Sequence, residues 1–208
     1  MNERVRMSWQ RVWTGLAARG DASTPRDELL ARHAEPWRRY HTVQHLQECL
    51  DAFEGARHLA RRPAEVETGL WFHDAVYALE RHDNEARSAD LAEGMLRAAD
   101  VAVDAIERIR TLILATRHMA APANDEPDAA LLVDIDLAIL GASPARFAEY
   151  EAQIRAEYAA VPEATFRARR RAILEAFLAR PRLYGTTHFH DRLEMQARAN
   201  VARAISMG

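Results

Sequence analysis

The chain has 208 residues, of which 49% are hydrophobic and 28% are charged, and its formal net charge is −3. This balance is typical of a globular protein and excludes disordered and fibrous classes, while the small negative charge argues against nucleic acid as a partner. All 28 basic residues are arginine, which excludes Schiff-base chemistry and the phosphate-binding P-loop, because both need a lysine amine.

The residue composition predicts an all-α fold. Alanine supplies 41 of the 208 residues, whereas there are only 8 glycines and 8 prolines, and alanine is the best helix former. We expect a single domain over residues 1–208, with nine or ten helices and no strands. In chain order, the apolar periodicity predicts helices over residues 2–18, 25–34, 41–60, 63–79, 85–99, 102–117, 128–140, 144–158, 162–179 and 187–205.

Several helix boundaries carry explicit signals. Thr24 and Ser143 each precede a proline, which is the pattern of an N-cap followed by proline at the first helical position. Gly141 is expected to stop the helix that precedes it. Residues 120–127 hold two prolines, an asparagine and an aspartate, and are expected to form a loop.

The single cysteine, Cys49, excludes an internal disulfide, which is typical of a reducing compartment. The N-terminal residues lack the apolar segment of a secretory signal, and no stretch approaches the ~18 apolar residues of a membrane span. We therefore expect a cytoplasmic protein without a membrane partner. Cys49 lies within a predicted helix and is interpreted as an inert, half-buried thiol.

Two motifs offer imidazole groups for chemistry. His41 and His45 are four residues apart in a predicted helix and so share one of its faces, although such histidines are also common in cores and on surfaces. His73 and Asp74 follow bulky apolar residues. A buried carboxylate needs a compensating partner, and a metal ion is one. The alternative is a carboxylate at a helix end that is exposed to water.

A third motif adds carboxylates. Residues 129–140 contain ten apolar residues and two aspartates, Asp134 and Asp136. Whichever face of this helix is buried, at least one aspartate is expected to point inward, where it needs a metal, an arginine or a catalytic role. The spacing alone does not decide which aspartate this is, and an arginine partner remains open because arginine is abundant.

Together, these motifs provide two imidazoles and two carboxylates. Such a mixed set suits Mn²⁺, Fe²⁺, Co²⁺, Ni²⁺ or Zn²⁺ and tolerates Mg²⁺. Four protein ligands on an octahedral ion leave positions for water and substrate, so that the ion can polarise a phosphoryl oxygen and activate a water molecule.

The order His45, His73-Asp74, Asp136 in an all-α chain resembles the HD superfamily of metal-dependent phosphohydrolases, and more narrowly a bacterial branch of predicted HD phosphohydrolases. The recurrent motifs of that branch are matched by residues 38–45, 72–77, 84–89, 134–141 and 194–200. The resemblance implies an HD-domain helical bundle with extra N- and C-terminal helices. Its metal-site core would cover about residues 38–141, with the C-terminal helices of residues 143–208 packed on it.

The resemblance also implies which residues bind the metal. It assigns one divalent cation to His45, His73, Asp74 and Asp136. Asp134 then takes a supporting or structural role. Two-metal HD enzymes have two further histidines between the His-Asp pair and the last aspartate. This chain has only His82 and His118 in that interval, and His82 comes too soon after the pair, so a single ion is favoured.

Hydrolysis of a phosphoester also needs positive charge on the phosphoryl oxygens and a proton donor for the leaving oxygen. Arg38 is a candidate phosphate clamp, with pairing to an acidic residue as the alternative. His41 and His118 could each act as general acid or orient the phosphate. Glu85 is a candidate acid or base, or else a first-turn glutamate favoured by the helix dipole. The expected catalytic residues are Asp74, Glu85 and His118, and the expected substrate-binding residues are Arg38 and His41.

Two further groups of residues are expected to have structural roles. Arg167, Arg169, Arg170 and Arg171 form the one basic cluster, and because glutamates flank it a solvated helix face is favoured. Arg198 and Asn200 are expected to lock the last helix onto the ligand-bearing helices.

The sequence thus favours a metal-dependent hydrolase of a small phosphoester, with a nucleotide as the favoured class. The alternatives are a sensor that binds a nucleotide without hydrolysing it, a di-iron oxygenase of the HD type, and a helical interaction protein. The step from fold to substrate is an analogy. HD proteins are often dimers, so a homodimer is an option that the resemblance raises.

Overall fold

The computed structural model describes residues 3–117 and 126–207, which contain ten α-helices, two short 3-10 helices and no strand. The all-α prediction is therefore confirmed. The α-helices are α1 (Glu3–Gly15), α2 (Ser23–His33), α3 (Val43–Ala56), α4 (Pro63–Phe72), α5 (Asn84–Ala98), α6 (Val103–Ala115), α7 (Pro127–Asp136), α8 (Pro144–Glu157), α9 (Glu163–Leu178) and α10 (Thr187–Met207). The 3-10 helices cover Arg57–Leu59 and Leu137–Gly141.

Helix α4 lies at the centre of the fold. It contacts α1, α3, α5, α6 and α7, and Leu70, Trp71 and Phe72 at its C-terminal end are fully buried. A helix that is covered on every side needs no polar face, which explains why its sequence is apolar around most of its circumference. The end of α4, with the residues that follow, is therefore held inside the molecule.

The C-terminal helices pack against the segment that follows α7. Helix α10 contacts both α9 and the 3-10 helix Leu137–Gly141, and α8 contacts the same 3-10 helix. The side-chain amide of Asn200 on α10 donates to the carbonyl oxygens of Leu140 and Ala142 at 2.8 and 2.9 Å. This confirms the predicted role of Asn200. Arg198 instead holds the end of α9, because its guanidinium donates to the carbonyl oxygen of Leu178 at 3.1 Å. Across the described residues, no helix has the length and apolar character needed to cross a membrane.

The structure corrects several predicted helix ends. Helix α4 stops at Phe72 instead of continuing to residue 79, and α7 gives way to a 3-10 helix after Asp136. Thr42 is the N-cap of α3, because its side chain accepts a hydrogen bond from the backbone N–H of Gln44 at 3.2 Å. His41 therefore precedes the helix, and the prediction that His41 and His45 share one helix face is wrong.

The two predicted N-caps have different outcomes. Ser143 accepts from the backbone N–H of Arg146 at 3.4 Å and caps α8 as predicted. Helix α2 instead begins at Ser23, and the carboxylate of Asp21 accepts from the backbone N–H groups of Ser23 and Thr24 at 2.9 and 3.0 Å. A carboxylate can accept both donors at once, so Asp21 satisfies the start of the helix in place of Thr24.

Candidate metal centre

Three helix ends bring the predicted ligands together. His45 is in the first turn of α3, His73 and Asp74 directly follow α4, and Asp136 is the last residue of α7. Because α3, α4 and α7 contact one another in pairs, their ends meet at one point. Both histidines are buried, at 2% and 1% exposure, and the two aspartate side chains are 16% and 12% exposed.

The donor atoms of these side chains converge. Nε2 of His45 lies 3.1 Å from Nε2 of His73, 3.4 Å from Oδ2 of Asp74 and 3.2 Å from Oδ1 of Asp136. Nε2 of His73 lies 3.0 and 3.4 Å from the same two oxygens. Ligands about 2.1 Å from one cation are separated by about 3.0 Å in octahedral and about 3.4 Å in tetrahedral geometry. The observed spacings match the edges of such a coordination polyhedron.

The orientation of His73 also fits a metal ligand. Its Nδ1 lies 2.9 Å from the carbonyl oxygen of Leu70 and must carry the proton, since a carbonyl can only accept. This fixes the tautomer and leaves the lone pair of Nε2 pointing at the other donors. A hydrogen bond of this kind to a backbone carbonyl is the usual support of a metal-binding imidazole.

The charged groups in the centre shift one another's pKa values. Burial acts to lower the pKa of His73, but Asp74 and Asp136 outweigh this effect and raise the pKa well above its ordinary value. Burial acts to raise the pKa of Asp74, but the surrounding histidines hold it well below the ordinary value. The two carboxylates thus favour a positive charge on the neighbouring imidazoles. A divalent cation would supply the same positive charge, so the residues fit a metal ion in chemistry as well as in spacing.

Cys49 offers a second, overlapping donor set. Its Sγ, together with donor atoms of His45, His73 and Asp136, forms a group in which all atoms lie within 4.8 Å of one another. Sγ lies 3.7 Å from both ring nitrogens of His45. The thiol is 2% exposed, so it is buried and not half-buried as predicted. Asp74 approaches the histidines more closely than Cys49 does and is the better fourth ligand.

Asp134 has a different environment from Asp136. Its Oδ1 accepts from the backbone N–H of Gly185 at 2.7 Å, and its Oδ2 accepts from the N–H and hydroxyl of Thr186 at 2.7 and 2.6 Å. Burial nevertheless raises the pKa of Asp134 above its ordinary value. These contacts fix the segment that leads into α10, which is the structural role that the resemblance implied.

The centre opens into a cavity of about 600 Å³ whose wall includes Asp74 and Asp136. Two other residues predicted for the site, His41 and Glu85, line the same cavity. His118 lies outside the described residues. The cavity wall also contains five arginines, which are Arg81, Arg117, Arg169, Arg170 and Arg180.

The cavity arginines differ in their partners. Arg81 pairs with Asp83 at 2.6 Å, and Arg170 pairs with Glu151 and donates to the hydroxyl of Tyr150. Arg117 and Arg169 have no ion-pair partner within residues 3–117 and 126–207. Within the described part of the chain, no carboxylate neutralises these two cavity-lining guanidinium groups.

Arg38 does not line this cavity. Its side chain is fully buried, and its guanidinium donates to the carbonyl oxygens of Asp74, Ala75 and His41 at 2.6, 3.1 and 3.2 Å and to the carboxylate of Glu35 at 2.9 Å. These bonds use the donors that a phosphate would need. The structure thus favours the alternative interpretation, because Arg38 holds the backbone around the candidate ligands instead of facing a substrate.

The motif at residues 84–89 also holds backbone. The side chain of Asn84 accepts from the N–H of Ala78 and donates to its carbonyl at 3.1 and 3.0 Å. The hydroxyl of Ser88 accepts from the N–H of Val76 at 3.0 Å. These contacts fix the loop after Asp74. Glu85, in the first turn of α5, is the member of the motif that reaches the cavity.

Sequence reasoning missed Glu157, whose side chain is 1% exposed at the end of α8. Its Oε2 lies 2.8 Å from Nδ1 of His41. Burial acts to raise the pKa of Glu157, but hydrogen bonds from His41 and the backbone outweigh it and lower the pKa below its ordinary value. A signal was present, because Glu157 continues the buried stripe of Phe147, Tyr150 and Ile154 at helical spacing.

Sequence reasoning also missed the cavity role of part of the basic cluster. Arg167 and Arg171 pair with Glu163 and Glu175 on the exposed side of α9, as a solvated face requires. Arg169 and Arg170 instead face the cavity with Phe166 and Phe177. Their positions three and four residues after Phe166 place them beside its apolar stripe, and this spacing was the available signal.

Comparisons of the chain with protein-family models, with curated proteins and with solved structures give no match. The fold and the site define an all-α protein with a candidate metal centre of histidine, aspartate and cysteine donors.

Proposed function

We propose that the chain is a metal-dependent phosphohydrolase of the HD type that acts on a small phosphoester. The observation that carries the proposal is the convergence of two imidazoles and two carboxylates, with spacings of 3.0–3.4 Å, on one wall of a cavity that also carries arginines. The ligands proposed for one divalent cation are His45, His73, Asp74 and Asp136. When bound, such an ion polarises a phosphoryl oxygen and lowers the pKa of water.

The remaining cavity residues suit a phosphoester substrate. Arg117 and Arg169, which have no ion-pair partner among the described residues, supply positive charge for the phosphoryl oxygens, which Arg38 cannot do from its buried position. Tyr40, Tyr150 and Phe177 give the cavity an aromatic wall, which favours a planar group such as a nucleobase on the substrate. A volume of about 600 Å³ is in the range of sites for small organic ligands.

One ion is favoured over two. Within the described part of the chain, one group of three or more candidate ligands is found, and a di-iron oxygenase needs a second. A sensor without hydrolytic activity would use the same ligands and cavity, so only turnover distinguishes it from the enzyme. A helical interaction protein would give no reason for the convergence of these four side chains.

The first experiment is elemental analysis of the purified protein. We expect about one equivalent of a divalent metal in the wild type and loss of that metal in His73→Ala. The matched control is His58→Ala, since His58 is exposed in the 3-10 helix Arg57–Leu59. About two equivalents, mainly of iron, would favour the di-iron oxygenase. No metal after incubation with Mn²⁺ or Co²⁺ would contradict the proposal.

A second experiment separates Asp74 from Cys49 as the fourth ligand. We expect Cys49→Ala to retain the metal and Asp74→Ala to lose it. The protein loaded with Co²⁺ should lack the charge-transfer absorption of a thiolate ligand.

The metal-loaded wild type is then assayed with p-nitrophenyl phosphate and with nucleoside monophosphates. Binding of a nucleotide without release of phosphate would identify a sensor.

A further inference from the structure

Glu157 is a buried carboxylate that the phosphohydrolase chemistry described so far does not use. Its Oε1 accepts hydrogen bonds from three consecutive backbone N–H groups, those of Arg39, Tyr40 and His41, at 2.8, 3.0 and 3.0 Å. Its Oε2 lies 2.8 Å from Nδ1 of His41. Oε1 therefore accepts the backbone N–H groups that precede α3, and Oε2 contacts only the imidazole of His41.

The ring of His41 is held in one orientation. It stacks on Tyr77 with the ring centroids 3.9 Å apart and an angle of 24° between the planes, and it meets the ring of Tyr40 edge to face at 4.9 Å. The hydroxyl of Tyr77 is 3.2 Å from that of Tyr158, which directly follows Glu157. The ring therefore cannot rotate without breaking contacts on both sides.

These contacts leave one ring atom for chemistry. Because an ionised carboxylate can only accept, Nδ1 of His41 carries the proton that Glu157 binds. Nε2 has no hydrogen-bond partner among the residues that the structure describes, and His41 lines the cavity that contains Asp74 and Asp136. Nε2 is thus the atom that can reach a group bound in the cavity.

We propose that Glu157 is a positioning residue that presents Nε2 of His41 to the leaving oxygen of the phosphoester; this inference rests on the proposed phosphohydrolase function. As the bond from the water oxygen to phosphorus forms, the bond from phosphorus to the leaving oxygen breaks. The leaving oxygen takes a proton from Nε2, and His41 regains one that the attacking water releases. Glu157 remains a carboxylate and holds the proton on Nδ1 throughout.

The variant Glu157→Gln tests this role with little change in shape. Its amide oxygen can still accept from the backbone N–H groups, which leaves the amide N–H₂ beside Nδ1 of His41. An amide donor in place of a carboxylate imposes the opposite tautomer, with Nδ1 unprotonated and the proton on Nε2. Proton transfer to the leaving oxygen requires a His41 ring with protons on both nitrogens. The variant disfavours this form, because the amide N–H₂ faces Nδ1.

The tautomer is read from ¹⁵N chemical shifts of the ring of His41 at alkaline pH, with the 208-residue chain loaded with Zn²⁺. We expect the proton on Nδ1 in the wild type and on Nε2 in Glu157→Gln. Hydrolysis is measured with phenyl phosphate and p-nitrophenyl phosphate. We expect kcat to fall about 100-fold or more for phenyl phosphate and less than about tenfold for p-nitrophenyl phosphate, whose leaving group needs little protonation. KM and zinc content should stay unchanged.

Glu194→Gln is the matched control. Glu194 also accepts from two backbone N–H groups, of Leu183 and Tyr184, and lies 3.3 Å from Nδ1 of His190, but it does not line the cavity. We expect this variant to hydrolyse both substrates at the wild-type rate.

Two results would overturn the inference. One is a wild-type His41 with its neutral-ring proton on Nε2. The other is an equal loss of kcat for both phosphoesters in Glu157→Gln, which is what a purely structural role predicts. If the wild type hydrolyses neither phosphoester, the proposed function fails, and the ¹⁵N shifts alone decide whether Glu157 sets the tautomer of His41.

Discussion

Asp134 and Asp136 are two residues apart on α7 and serve different purposes. Asp136 faces the two candidate metal-binding histidines, whereas Asp134 binds Gly185 and Thr186 ahead of α10. We expect Asp136→Ala to lose the metal while its metal-free stability stays within about 1 kcal/mol of the wild type, because Asp74 still faces both imidazoles. Elemental analysis and urea denaturation in the presence of a chelator measure the two effects.

The converse variant, Asp134→Ala, should keep the metal and lose stability. It leaves the backbone N–H groups of Gly185 and Thr186 without their acceptor, which should lower the free energy of unfolding by about 2 to 4 kcal/mol. Loss of metal from Asp134→Ala with normal folding would show that the ligand assignment is wrong by two residues.

Arg169 and Arg167 give a second pair of contrasting residues, both on α9. Arg169 lines the cavity and Arg167 pairs with Glu163 in solvent. We expect Arg169→Ala to raise KM for a phosphoester about tenfold, since a charged hydrogen bond to phosphate is lost. The control Arg167→Ala should leave KM unchanged, because an exposed ion pair contributes little. Equal effects of both variants would indicate a general electrostatic influence instead of a contact.

At the scale of whole helices, the sequence predicts which helices are present better than it predicts where each helix begins and ends. The number of helices and their order follow from apolar periodicity and from the shortage of glycine and proline. The end of α4 was predicted seven residues too late, because the segment that follows it remains apolar while its backbone is bound by Arg38 and Ser88. Local propensity does not register such long-range contacts.

The packing of α10 on the segment after Asp136 depends on a glycine. A Cβ atom on Gly141 would lie 2.6 Å from Cβ of Leu193 and 3.1 Å from its carbonyl oxygen. Gly141→Ala must therefore displace α10, and we expect it to lower the free energy of unfolding by about 1 to 3 kcal/mol. Because Asp136 directly precedes this 3-10 helix, the affinity for the metal should fall as well.

Gly94→Ala is the control for this substitution. Gly94 lies within α5, and nothing is found within 4 Å of a Cβ placed there. Alanine is a better helix former than glycine, so this variant should be stabilised by up to about 1 kcal/mol with unchanged metal affinity. Thermal denaturation and a metal titration compare the two variants, and a stable Gly141→Ala with full affinity would contradict the packing argument.

At the scale of the whole molecule, the site could be predicted only in part. The motifs that contain His45, His73-Asp74 and Asp136 could be recognised because each is short, but the choice of Asp136 over Asp134 came from the resemblance. For Glu157, helical spacing could have indicated burial but not its partners, because its carboxylate binds the backbone of Arg39 across 118 positions of the chain, and no local pattern reveals such a pairing. The cavity arginines come from several different elements, so only the fold shows that they share one wall.

The acid sensitivity of the molecule should depend on His33, at the end of α2. Its ring is fully buried, and neither ring nitrogen has a hydrogen-bond partner among the described residues. Burial, helped by the charge of Arg38, lowers the pKa of His33 from 6.5 to about 3. Between these pH values the unfolded chain binds a proton that the folded chain does not, so stability should fall as the pH falls.

The slope that His33 contributes is about 1.4 kcal/mol per pH unit within this window. His33→Leu removes the titrating group and also removes a buried polar ring, so we expect it to be at least as stable as the wild type near pH 7. The difference between the two proteins should grow in favour of His33→Leu as the pH falls toward about 4. Urea denaturation at several pH values measures this difference. A constant difference would show that His33 binds a proton equally well in the folded and unfolded chains.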